Sequence, residues 1–192
     1  MRAELLRSVM RQENILAAIS SNEARAVLKE LAKDPRIRKR AEAVALAMVG
    51  DVDMDAVAEE VSWALDSIAV EDVWDNSGGT RDGYVDPGEY AWELFANALE
   101  PFEKHLRKCH GLSLAKQAKL QCMGILKGIW RFESESKSEF KDWAVDAPDG
   151  NMTRVFDEWR KMSKNLNDIA EVKSFMESLC RGKIACHAQS GR

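Results

Sequence analysis

The carboxylates best placed to do chemistry lie in the loop from Gly78 to Glu89. Their spacing partly matches a twelve-residue calcium-binding loop, with Asp82 at position 5, Asp86 at position 9 and Glu89 at the bidentate position 12. Position 1, however, is Gly78 instead of Asp, and Arg81 brings a cation to the loop. Since calcium requires several oxygen ligands, loss of the first carboxylate lowers the expected affinity severely.

A structural role accounts for the same residues, and we favour it. Asp86, Pro87 and Glu89 combine a helix-capping residue, a proline at the first helical position and a capping-box glutamate, while Asp82 before a glycine is typical of a turn. We therefore predict no catalytic, cofactor-binding or metal-binding residue. The alternative is a divalent-metal-binding protein or metal-dependent enzyme that uses the acidic loop 72–89, with Asp82, Asp86 and Glu89 as its ligands.

A second acidic cluster is interleaved with lysines; its members are Glu133, Glu135, Lys137, Glu139, Lys141 and Asp142. Paired carboxylates act as general acid and base only when burial or like-charge crowding shifts one pKa. Glu133 and Lys137 are four residues apart in the order that favours a helical ion pair. The pattern therefore predicts an exposed, salt-bridged helical face.

Charge is distributed unevenly along the chain, although the net charge is only -4. Residues 51–100 contain fourteen Asp and Glu but only one Lys or Arg, whereas both flanking segments are basic. Such a segment must face water, the basic flanks, a cation or a basic partner. Nucleic acid is not expected at this surface.

A basic cluster begins the third predicted helix, with Arg36, Arg38, Lys39 and Arg40. Such a cluster can hold phosphate, but it has no aromatic residue and no second cluster beside it. We therefore expect the basic cluster to contact the acidic middle segment of this chain, or of a second copy, instead of nucleic acid.

Composition places the chain among folded, non-membrane proteins. It has 192 residues, 45% of them apolar, and no apolar run near the ~20 residues of a spanning helix. The amino terminus does not read as a signal peptide, so a cytoplasmic location with reduced cysteines is expected. Cys122 lies in an apolar stretch and is predicted to be a core residue.

Apolar spacing predicts helices almost throughout. The expected fold is all-α, with about eight antiparallel helices in an α-solenoid-like or irregular bundle, forming one domain over residues 1–182 and a loose tail over 183–192. Predicted starts include a capping box at Ser20 and Glu23 and caps at Asp53, Asp86 with Pro87, Ser113 and Asn151. A first helix is expected over residues 2–19, and the second is expected to bury Val27, Leu28 and Leu31. The stretch from Val70 to Val85 is expected to be irregular, and Pro101 to kink or split its helix.

A two-sided apolar stripe marks the helix after Ser113 as the centre of the fold. The residues expected to be buried where this helix packs on the preceding one are Trp92, Phe95, Leu99, Cys122, Ile125 and Ile129.

The run from Glu30 to Arg40, Glu-Leu-Ala-Lys-Asp-Pro-Arg-Ile-Arg-Lys-Arg, resembles a helical segment found downstream of SWIM-type zinc fingers and in uncharacterised prokaryotic relatives. The resemblance extends from about Ser20 to Phe132. The zinc-finger part, with its Cys-x-Cys and Cys-x-His pairs, is missing, so neither zinc nor nucleic-acid binding is carried over. What the resemblance implies is a helical module of the interaction type.

The function expected from the sequence is therefore non-catalytic. The chain has no phosphate-binding glycine loop, no nucleophile elbow and no His-Glu-x-x-His motif. We expect a helical interaction module that binds another protein, or a second copy of itself, through its charged faces. No membrane and no cofactor are expected.

Overall fold

A computed structural model describes the backbone of residues 17–80 and 83–190, and the side chains of residues 17–79 and 83–179. Helix accounts for 81% of the described residues, which confirms the all-α prediction. The described elements, in chain order, are helices α1 Ser21–Leu31, α2 Pro35–Gly50, α3 Met54–Asp66 and α4 Val70–Asn76, strands β1 Gly78–Thr80 and β2 Gly83–Val85, helices α5 Pro87–Gly111 and α6 Ala115–Glu135, a short 3-10 helix Glu139–Asp142, and helices α7 Ala147–Met162 and α8 Leu166–Ser190. No described helix combines the length and the apolar character needed to cross a membrane.

The chain divides into two compact units, Met1–Val49 and Gly50–Arg192. Helix α8 continues to Ser190, so its backbone is helical across the predicted boundary between domain and tail at residue 182. The predicted helix over residues 2–19 lies almost entirely outside the described residues.

The first unit contains α1 and most of α2. Ser20 and Glu23 form the predicted capping box: the Glu23 amide donates to Ser20 Oγ at 3.3 Å, and the Ser20 amide donates to Glu23 Oε2 at 2.8 Å. The predicted burial of the α1 stripe is wrong, because Val27, Leu28 and Leu31 are between 40% and 52% exposed. The spacing of apolar residues predicts which of them share a helix face, but it does not predict whether another element buries that face.

In the second unit, α3 packs very closely on α6. A Cβ atom added to Gly124 would lie 2.7 Å from Val57 Cβ, and one added to Gly128 would lie 2.5 Å from Val61 Cβ. The two glycines, one helical turn apart, therefore let the two helix backbones approach. The α3 residues Ala58, Val61 and Leu65 are completely buried on this side.

Helix α6 lies at the centre of the second unit and packs against α3, α5, α7 and α8, as predicted. Phe95 and Leu99 of α5 and Cys122, Ile125 and Ile129 of α6 are fully buried, which confirms those core assignments. The predicted burial of Trp92 is wrong, because this residue is only half-buried. Pro101 is inside α5 but does not split it.

Three connections differ from the prediction. The stretch from Val70 to Val85, expected to be irregular, contains α4 and a β-hairpin in which Gly78 pairs with Val85. Ser113 does not cap α6; it has a positive φ of 60° in the turn before Leu114. Asn151, predicted to be a helix cap, is completely buried inside α7, where its Nδ2 donates to the Ala147 carbonyl at 2.9 Å.

Candidate binding surface

An acidic surface covers the outer side of α3 and the residues just before it. We call it the acidic face and define it as Asp51, Asp53, Glu59, Glu60 and Trp63. All five residues are exposed, and Trp63 is 73% exposed. Within the described part of the chain, the carboxylates of Asp51, Glu59 and Glu60 form no ion pair and no hydrogen bond. Their charge is therefore not neutralised by any residue of the described part of the chain.

Local sequence explains why α3 presents this face. Asp53 Oδ1 accepts hydrogen bonds from the amides of Asp55 at 2.8 Å and Ala56 at 2.9 Å, which fixes the start of the helix as predicted. Since the small and apolar residues of α3 face α6, Glu59, Glu60 and Trp63 point away from the core. Trp63 and both glutamates line a shallow depression of about 340 Å³.

One α3 carboxylate is neutralised within the unit. Lys127 of α6 donates to Asp55 Oδ1 at 2.5 Å. The hydrogen bond and the charge of Lys127 hold the pKa of Asp55 below its usual value of 3.8. Asp55 thus ties α3 to α6, in contrast to the unpaired acids on the acidic face.

A cavity of about 470 Å³ adjoins the acidic face, between the start of α3 and helices α5 and α6. Asp51, Asp53 and Glu60 contribute three carboxylates to its lining, and Ala56 and Glu60 also border the Trp63 depression. The remaining polar side chains of the lining are His105 and Gln121. Apolar wall is supplied by Val52, Val57, Pro101 and Phe102.

Gln121 is the unusual member of this lining. Its side chain is almost fully buried, with the residue 1% exposed, and its Nε2 donates to the Phe102 carbonyl at 3.3 Å. Its Oε1 is shielded from solvent and has no hydrogen-bond partner. A buried acceptor without a donor costs about 1–3 kcal/mol. Gln121 was not identified from the sequence, where a glutamine within an apolar stripe was the only signal.

The acidic loop adopts the structure of a hairpin followed by a capped helix. Asp82 lies outside the described residues. Asp86 Oδ1 accepts from the amides of Gly88 at 2.9 Å and Glu89 at 3.0 Å, so its carboxylate caps α5 as the structural interpretation predicts. The Glu89 side chain does not complete the predicted capping box. It borders a second cavity of about 470 Å³, together with Trp92. In the described part of this loop, Asp86 therefore caps a helix while Glu89 lies beside a cavity.

The second acidic cluster is not the predicted salt-bridged helical face. Helix α6 ends at Glu135, so Lys137 and Lys141 lie beyond it. Lys141 Nζ donates to the backbone carbonyls of Glu133 at 2.5 Å and Ser136 at 3.1 Å. Lys141 thus binds backbone carbonyls at the end of α6. Helical spacing does not predict this contact, because Lys141 lies outside the helix.

The basic cluster on α2 is exposed. Arg36, Arg38, Lys39 and Arg40 are all on the surface, and Arg38 Nε donates to the Ala32 carbonyl at 2.9 Å. Asp34 Oδ1 accepts from the Arg36 amide at 2.8 Å, so it caps the helix start beside Pro35.

Among the described residues, no group of three or more His, Cys, Asp and Glu side chains is arranged to hold a metal ion. Comparisons with protein-family models, curated proteins and solved structures found no match to this chain. The resemblance to the segment downstream of SWIM-type zinc fingers therefore stays a prediction. The acidic face and its cavity are the strongest candidate site in the described part of the second unit.

Proposed function

We propose that the chain is a non-catalytic interaction module that binds a basic segment of another protein on the acidic face. The observation that carries this proposal is the combination of unpaired carboxylates with an exposed tryptophan on one side of α3. Unpaired acids attract a cationic partner over a distance, and an exposed Trp supplies a large contact area. Trp and Tyr are also enriched among the residues that dominate binding energy.

Several features support a binding role for this surface. Helix α3 is held rigidly from behind by the close packing at Gly124 and Gly128, so the face is preorganised. Its depression is open and its charge is of one sign, which suits a Lys-rich or Arg-rich segment. We place the module in the cytoplasm, as the composition of the sequence suggests.

The proposal is tested by titrating the chain with a fluorescein-labelled lysine-rich peptide. The double variant Glu59→Lys/Glu60→Lys should weaken binding by roughly tenfold or more, because each exposed pair contributes ~0.2–1 kcal/mol and reversal adds repulsion. Glu135→Lys/Glu139→Lys changes the net charge equally at exposed positions that do not line the cavity. It should leave the affinity almost unchanged. Equal effects of the two double variants would refute a specific role of the acidic face.

A further inference from the structure

We infer that the cavity beside the acidic face receives the ammonium group and methylene stem of a lysine side chain from the bound segment. This inference rests on the proposed function and assigns an anchor within it. Its basis is a cavity lined by three carboxylates, an apolar wall and Gln121, together with the Gln121 Oε1 atom, which is shielded from solvent and has no hydrogen-bond partner.

The unmet acceptor specifies what kind of group is missing. Gln121 Nε2 is engaged by the Phe102 carbonyl, which fixes the orientation of the amide and leaves Oε1 in need of a donor. Oε1 is screened from solvent, so bulk water does not satisfy it. A ligand N–H that enters the cavity and shifts the Gln121 side chain slightly would supply that donor.

The charge of the lining specifies the sign of the ligand. Asp51, Asp53 and Glu60 bring three acidic groups to the cavity, and one Oδ of Asp53 already caps α3. No lysine or arginine lines the cavity. A cation entering it therefore gains attraction from the carboxylates, and the half-buried ring of Phe102 can add a cation–π contact.

The shape and the wall favour lysine over arginine. A volume of about 470 Å³ lies in the range of ligand-sized sites and accommodates one extended side chain. Val52, Val57 and Pro101 offer apolar surface to a methylene stem, as long cationic side chains require. A compact ammonium can direct its three donors separately to Oε1 and to the carboxylates, whereas a planar guanidinium holds its donors in a fixed fork.

The first test uses n-butylammonium, which reproduces the end of a lysine side chain. Its affinity is measured by NMR titration for the native chain, Gln121→Leu and Gln117→Leu. Gln117 lies one turn earlier on α6, is half-buried and does not line the cavity, so it is the matched control. We expect roughly tenfold weaker binding for Gln121→Leu, because a hydrogen bond to a charged group is lost, and no change for Gln117→Leu.

The second test uses a lysine-rich peptide and versions in which single lysines are replaced by norleucine, which keeps the stem and removes the ammonium. One norleucine position should weaken binding to the native chain by about tenfold and have a clearly smaller effect on Gln121→Leu, in which the hydrogen bond of the ammonium is already lost. Should Gln121→Leu fail to fold, Ala56→Phe serves instead, since Ala56 is exposed, lines the cavity and would obstruct it.

The outcomes separate the inference from the proposed function. If the peptide binds in a Glu59- and Glu60-dependent manner but is insensitive to Gln121→Leu and to Ala56→Phe, the lysine anchor is wrong and the acidic face stands. If n-butylammonium requires Gln121 but the peptide does not, the cavity serves a free amine and the anchor is again wrong. If the peptide does not bind the native chain, the proposed function itself fails.

Discussion

Arg154 of α7 donates two parallel hydrogen bonds to the buried carboxylate of Glu103 on α5, from Nη1 to Oε2 at 2.9 Å and from Nη2 to Oε1 at 2.5 Å. Asn151 Oδ1 accepts from the same guanidinium, from Nη2 at 2.8 Å and from Nε at 3.2 Å. The Glu103 side chain is only 5% exposed. This network fixes α7 on α5, the helix that also supplies one wall of the cavity.

The Glu103–Arg154 pair should contribute strongly to the free energy of unfolding. Arg154→Met leaves the Glu103 carboxylate buried without its main partner, and we expect a loss of about 3 kcal/mol. Urea denaturation measures it. Lys104→Met is the matched control, because its ion pair with Glu100 is exposed and should change stability by less than about 1 kcal/mol. Equal losses in the two variants would contradict the structural role of the buried pair.

The close approach of α3 and α6 makes a second prediction. In Gly128→Ala the new Cβ would meet Val61 and the Ala58 carbonyl at less than 3 Å, so we expect destabilisation by about 1–3 kcal/mol in thermal or urea unfolding. Gly111→Ala adds a Cβ to open space at the end of α5 and should be neutral or slightly stabilising. A Gly128→Ala protein as stable as the parent would show that the two helices are not this close.

Asp55 and Lys127 make a prediction about pH. The folded-state pKa of Asp55 is lowered, so its contribution to stability is present above the usual pKa of 3.8 and is lost as the pH falls through the folded value. Carboxyl chemical shifts followed by NMR should show Asp55 titrating below 3.8. In Lys127→Met the pKa should return towards 3.8. An unchanged titration in that variant would mean that Lys127 is not the cause.

The cap at Asp86 separates the structural interpretation of the acidic loop from the calcium alternative. Asp86→Ala removes the acceptor for two amides and should cost about 0.5–2 kcal/mol, equally in chelator and in millimolar calcium. Glu89→Gln should show no calcium-dependent change in melting temperature. A rise in the native melting temperature with calcium that disappears in Glu89→Gln would support the metal-binding alternative.

Helix starts were largely predictable from the sequence because capping is local. Each capping side chain accepts hydrogen bonds from backbone amides no more than three residues away, so the sequence signal and the structure lie in the same short segment. This holds for Ser20, Asp53 and Asp86. The same reasoning failed at Asn151, whose residue type suits a cap but whose side chain is buried within a helix.

The candidate site was not predictable in the same way, because its parts are distant in sequence. The charge count identified an acidic middle segment, but the cavity joins Asp51 to Gln121, and no local pattern links them. The four-residue spacing of Gly124 and Gly128 on a helix was the one available signal for the close packing that positions α3. Which acid is neutralised also depends on a distant residue, as Lys127 shows for Asp55.

The central claim is that a basic partner binds the acidic face, and the most direct measurement is to locate a bound lysine-rich peptide by NMR chemical-shift perturbation. The account predicts that the largest shifts fall on the amides from Asp51 to Trp63 and on the Trp63 indole N–H, and that at the same peptide concentration these shifts are much smaller in Glu59→Lys/Glu60→Lys. Largest shifts on α7 or α8, with the α3 signals unmoved, would contradict it.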